Sequence, residues 1–129
     1  MSKIKILTGG FILILVGIIL IANLGLGAVY FPFIYEIPGL DKAGHFFLTG
    51  FLSFLVNMLL KAAHEEIFSI KILKGSLIVL LVVTVEELSQ IFLVYRAFSL
   101  LDLAFDLGGI LVGGWLAVWV TNKQKKDHN

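Results

Sequence analysis

The chain has 129 residues, 59% of them hydrophobic, a formal net charge of +1 and no cysteine. With a mean hydropathy of +1.01, it carries more apolar side chain than one small water-soluble domain can hide, and a bilayer is the solvent that removes the difficulty. The near-neutral charge argues against a nucleic-acid partner, and the absence of cysteine excludes disulfides, thiolate metal sites and a cysteine nucleophile.

Four apolar stretches reach the ~20 residues that a membrane helix needs. They lie near Leu7–Ala28, Asp41–Leu60, Ile72–Val94 and Leu100–Val120. Their apolar runs are continuous rather than alternating, which favours helices over barrel strands. The first follows Lys3 and Lys5, as a secretory signal would, but it is too long for an ordinary signal core and no good small-x-small cleavage site follows it. It is expected to be an uncleaved span. Pro32 and Pro38–Gly39 should stop helix in the first outer loop. Lys61–Lys74 is expected along the inner interface, and Asn122–Asn129 as a frayed polar tail. The expected architecture is an all-α membrane protein, a single domain over residues 1–129 made of four transmembrane helices.

Orientation follows from the basic residues. Lys3 and Lys5 precede the first span, Lys61, Lys71 and Lys74 lie between the second and third, and Lys123, Lys125 and Lys126 follow the fourth. The two other loops hold only Lys42 and Arg96. Both termini and the middle loop are therefore expected in the cytoplasm of a multi-pass protein. Tyr30, Phe31, Phe33 and Tyr35, Tyr95 and Phe98 then mark the outer interface, and Trp115 and Trp119 the inner one.

Ionisable groups are expensive within a membrane, and each one needs an account. Asp41 and His45 open the second span four residues apart, on one helix face. Glu86, Glu87 and Gln90 lie roughly 6–12 Å before the outer end of the third, at 1.5 Å per residue. Asp102 and Asp106 share a face at the start of the fourth, and Asn23 falls at a similar level in the first. The inner halves show no such cluster. Adjacent residues point about 100° apart on a helix, so Glu86 and Glu87 cannot face one centre equally. Glu86 is expected to reach a watery groove or a partner chain. Arg96, the only arginine, offers a planar fork for phosphate or carboxylate, or a counter-charge for Glu87, Asp102 or Asp106.

Structural roles compete with functional ones. Asp41 suits a helix N-cap, and Ser99-Leu100-Leu101-Asp102 suits a capping box. Gly109 and Gly113 form a small-xxx-small pair suited to close helix packing, a role that Gly44 and Gly50 could share. His64-Glu65-Glu66 suggests a zinc protease, but residue 68 of the H-E-x-x-H pattern is Phe68, and the three are simplest as solvated groups. His128 lies in the tail. His45, Glu87, Asp102 and Asp106 offer nitrogen and oxygen donors for a metal, yet their spacing does not enforce one, and the expectation is no metal and no cofactor.

Asp41-Lys42-Ala43-Gly44-His45, Glu87-Leu88-Ser89-Gln90, then Arg96, Ser99 and Asp102 form an ordered set across three spans. This set resembles the VanZ-like family, with its D-K-x-x-H, E-x-x-Q and arginine–serine–aspartate pattern, over roughly Asp41–Gly114. Asp106 stands where that family usually has asparagine. The resemblance implies a membrane fold of the bacterial cell envelope and a link to reduced sensitivity to the glycopeptide teicoplanin. On this reading the protein sits in the bacterial cell membrane, as a monomer or homodimer. Its outer cluster binds or modulates an anionic lipid or a lipid-linked wall precursor, with Asp41, Gln90, Arg96 and Asp106 as binding residues. The alternative is an intramembrane enzyme acting on a lipid headgroup, with His45 and Glu87 as acid and base and Asp102 assisting. An ion pathway ranks below both, because the charged groups stop short of the inner half.

Overall fold

The computed structural model describes residues 2–127. The chain is mostly helical, and three of its helical segments are long and apolar enough to cross a membrane.

The first of these, α1 (Lys3–Asn23), starts earlier and stops earlier than hydropathy indicates. Ser2 caps it by accepting a hydrogen bond from the Lys5 N–H at 3.4 Å. Gly25, at φ +79°, ends it. The N–H groups of Gly25 and Leu26 return to the Ala22 and Ile21 carbonyls, which satisfies the last turn as a Schellman cap does. The stretch expected to finish the span instead folds into two short helices, α2 (Gly27–Tyr30) and α3 (Pro32–Glu36). Pro32 does not break helix here. It opens α3 from the first position, where its missing N–H costs nothing.

Helix α4 (Leu40–Leu59) is capped by Gly39 in the left-handed region, so Asp41 is not the N-cap but an acid in the first turn. At 20 residues it is as long as a span. Thr49, Ser53 and Asn57 lie along its buried face, and Asp41, Lys42 and His45 stand in its first two turns. The middle loop forms a β-hairpin, β1 (His64–Ile67) paired antiparallel with β2 (Ile70–Leu73). Its two-residue turn puts Phe68 and Ser69 at φ +51° and +65°, which matches the twist of the strands. Hydropathy does not foresee this element. Helix α5 (Lys74–Ser89) follows at once and tightens into a 3-10 turn over Gln90–Phe92. The last helix, α6 (Leu100–Asp127), continues well past Val120. Asn122–Asp127, expected as part of a frayed tail, continue it as exposed helix; just before them Thr121 is buried against Met58 of α4, its hydroxyl 3.7 Å from the sulfur, and among them Lys123 lies over the Trp119 ring. His128 lies outside the described residues.

Residue pairs fix the directions of the helices. His45 with Asp106, Ser53 with Ile110 and Met58 with Thr121 run α4 and α6 parallel. Ser76 with Asn57, then Glu87 with Ser99, set α5 antiparallel to both. Phe11 packs edge-on against Phe51 at 4.8 Å while Asn23 meets Arg96, so α1 is antiparallel to α4. The α4–α6 contact is the tightest. A Cβ on Gly50 would lie 3.0 Å from the Gly109 carbonyl oxygen, and one on Gly113 would strike the Gly50 carbonyl. The glycine pair thus packs helices as expected, with Gly50, whereas Gly44 faces open space.

The distribution of polarity is inverted relative to a protein folded in water. Five hydrophobic residues are buried among the described residues, against nine polar or charged ones. Leu13, Leu81, Leu111 and Trp115 are each more than 60% exposed on the outer faces of three different helices. A lipid-like solvent makes that arrangement favourable.

Candidate functional site

Asp41, His45, Glu87, Gln90, Asp102 and Asp106 converge at one end of the bundle. Their helices deliver them as the spacing requires, since one turn separates Asp41 from His45 and Asp102 from Asp106. His45 is the centre. Its Nδ1 lies 3.0 Å from Asp106 Oδ1, and its Nε2 lies 3.6 Å from Asp102 Oδ2 and 3.8 Å from Asp41 Oδ1. The Asp106 side chain is 3% exposed and that of Asp102 9%. Thr49 donates its hydroxyl to the His45 carbonyl one turn back and sits 3.3 Å from the Asp106 carbonyl oxygen, which joins the two helices at this level.

Glu87 is fully buried. Its Oε1 accepts the Ser99 N–H at 2.9 Å, and its Oε2 accepts Gln90 Nε2 at 3.2 Å. Ser99 in turn accepts the Asp102 N–H at 3.3 Å, so it caps α6 while its own N–H orients Glu87. The 3-10 turn at the end of α5 lets the Gln90 carboxamide reach both acids, with its Nε2 also 3.1 and 3.2 Å from the Glu86 carboxylate oxygens.

Arg96 does not balance Glu87, Asp102 or Asp106. Its guanidinium donates to Asn23 Oδ1 at 2.6 Å and lies 3.4 Å from Glu86 Oε1. Glu86 therefore lines the internal groove beside Arg96. Gln90 and Arg96 each hold its carboxylate there.

Two positions outside the expected set belong to the site. Lys42 places its ammonium between Asp41, at 3.2 Å, and Asp102, with which it forms a hydrogen-bonded ion pair. It lies inside the D-K-x-x-H pattern, which was the available signal. Glu86 carried a weaker signal, four residues before Gln90. A second polar network, deeper along α4, was not foreseen: Asn57 donates to Ser76 Oγ at 2.9 Å and to Ser53 Oγ at 3.3 Å. Asn57 Oδ1 is buried with no hydrogen-bond partner among the described residues.

The cluster stands at the end of a cavity of about 480 Å³ between α1, α3, α4 and α5. Its wall is mainly aliphatic, including Leu15, Ile19, Leu48, Val79 and Val83, and Asp41, His45, Glu86, Arg96 and Asp106 form its polar end. That volume falls within the ~300–1,000 Å³ of small-molecule sites. No family model, curated protein or solved structure matches the chain.

Proposed function

We propose that this is a four-span, VanZ-like protein of the bacterial cell membrane that holds one lipid, with the headgroup at the polar cluster and a hydrocarbon chain in the groove. The observation that carries this reading is the shape of the cavity, apolar along its length and charged at one end. In this arrangement α4 is the fourth span, and its polar residues are accommodated because they face the other helices. The hairpin, with Lys71 in it and Lys61 and Lys74 beside it, and both termini lie on the cytoplasmic side, and the cluster lies near the outer leaflet. Arg96 supplies phosphate-binding donors at the groove. The ligand class is an anionic lipid or a lipid-linked wall precursor, and holding it would lower access of glycopeptides to the wall. Convergence of the ordered motif residues at one end of the bundle supports the family reading.

Native mass spectrometry of protein extracted from bacterial membranes tests lipid retention. The expectation is one tightly held lipid on the wild type and less on a groove-filling variant. The absence of a retained lipid on the wild type counts against the reading. Teicoplanin susceptibility of cells carrying the wild type or Glu87→Gln at equal levels tests the resistance component.

One observation favours a second reading. Asp106 fixes the His45 imidazole at 3.0 Å, the kind of pairing that orients a general base. An enzyme of this type would leave altered lipid profiles in cells that express it, and unchanged profiles would exclude it.

A further inference from the structure

The five carboxylates of the cluster do not share its cations evenly. Lys42 is engaged by Asp41 and Asp102, and Arg96 by Glu86. Glu87 and Asp106 have no lysine or arginine within ion-pair distance among the described residues, although they are 0% and 2% exposed. A buried carboxylate without a counter-charge is strongly unfavourable, and a single imidazole, that of His45 at 3.0 Å from Asp106, cannot balance both. Both face the same imidazole. One ligand atom each from His45, Glu87 and Asp106 lie within 4.8 Å of one another, one from each of α4, α5 and α6.

We propose that His45, Glu87 and Asp106 form a divalent-cation site of the zinc class. Ligand bonds of ~2.0–2.2 Å to nitrogen and oxygen place donor atoms about 3–4 Å apart, so a small closure of this triad suffices. The Nδ1–Oδ1 separation of 3.0 Å already fits. The second group of donors, Asp41, His45 and Asp102, is a poorer choice, because the Lys42 ammonium already lies within it.

Two further observations point to a cation at the buried triad. Asp106 Oδ1 meets His45, but its Oδ2 accepts no hydrogen bond among the described residues, within a side chain that is 3% exposed. Glu87 is oriented from behind by Gln90 and the Ser99 N–H, the outer support that ligating carboxylates commonly receive. A neutral imidazole, two carboxylates and a divalent ion also sum to zero charge, which suits this depth. His45 and Asp106 border the cavity, so the fourth position of a tetrahedral ion opens toward it. The site stands on this geometry and does not depend on the lipid reading.

The test uses the full chain in detergent with His64 and His128 replaced by glutamine, which leaves His45 as the only histidine. After chelator treatment, equilibrium dialysis against zinc is expected to give one bound equivalent. Binding should weaken at least tenfold in Asp106→Asn and in Glu87→Gln, and should be little changed in Glu66→Gln, an exposed carboxylate of the hairpin. Zinc should also raise the melting temperature of the parent but not of Asp106→Asn. Should that variant fail to fold, zinc-edge absorption on the parent decides, with one nitrogen and at least two oxygen ligands expected. Lack of stoichiometric zinc on the parent, or equal weakening by Glu66→Gln, would overturn the proposal.

Discussion

His45 and Asp106 meet across the α4–α6 contact, Nδ1 to Oδ1 at 3.0 Å, about one turn before Gly50 and Gly109 bring the two helices together. The pair thus belongs to the packing of the bundle as well as to its polar cluster. Removing the carboxylate leaves a largely buried imidazole without its partner, at a cost of ~1–3 kcal/mol. Asp106→Ala is therefore expected to melt several degrees below the wild type in detergent, and Asp106→Asn, which keeps a hydrogen bond, to fall between them. Equal melting temperatures for all three would remove the structural part of the pair.

The α4–α6 contact itself depends on absent side chains. A Cβ at Gly109 would run into the Phe46 carbonyl, which is backbone and cannot turn aside. Overpacking of this kind costs ~1–3 kcal/mol even where side chains can adjust. Gly109→Val is expected to give little monodisperse protein on size-exclusion chromatography, and Gly9→Val, with nothing within 4 Å of its Cβ, to behave as wild type.

Much of this arrangement was legible in the sequence, for identifiable reasons. Charged residues at one depth in three apolar stretches had few places to go, and the four-residue spacings put Asp41 with His45 and Asp102 with Asp106. Partner choice was not legible. Arg96 takes Glu86 because Gln90 lies between the two acids, and because Asn23 waits at the end of α1. Nor was Gly39 visible as the cap of α4, since a carboxylate two residues later is the stronger sequence signal. The hairpin was hidden for another reason: Phe68 and Ser69 form its turn without the glycine or asparagine that usually marks one.

Arg96 joins the end of α1 to α5 through Asn23 and Glu86. Arg96→Met keeps the length of the side chain and removes both contacts. We expect faster proteolysis between Leu93 and Ser99 and a stability loss of roughly 1–3 kcal/mol, the range for a hydrogen bond to a charged group and its loss. Cleavage rates equal to wild type would show that this clamp does not hold the loop.

Membrane sidedness is directly testable because the chain has no cysteine. Ser69, in the turn of the hairpin, and Ala97, between α5 and α6, are both exposed. In intact cells an impermeant thiol reagent is expected to label Ala97→Cys, and to label Ser69→Cys only after the membrane is opened. The reverse pattern would put the polar cluster on the cytoplasmic side.

Gly44 lines the groove, and a Cβ there would meet nothing within 4 Å. Gly44→Leu therefore directs a side chain into the groove with room at its Cβ, and loss of a helical glycine favours the helix by ~0.5–1 kcal/mol. The expected combination is reduced lipid retention with a melting temperature at or above that of the wild type. Reduced retention with a lowered melting temperature would instead indicate general damage.

The central claim, a lipid chain within the groove, is tested most directly by photocrosslinking with a phospholipid that carries a diazirine near the middle of its acyl chain. The cross-linked residues are then located by peptide mass spectrometry. The account predicts labelling of groove residues such as Leu15, Leu48 and Val79, suppressed in Gly44→Leu, above the general labelling of the exposed faces at Leu13 and Leu111. Labelling confined to those exposed faces, and unchanged in Gly44→Leu, would contradict it.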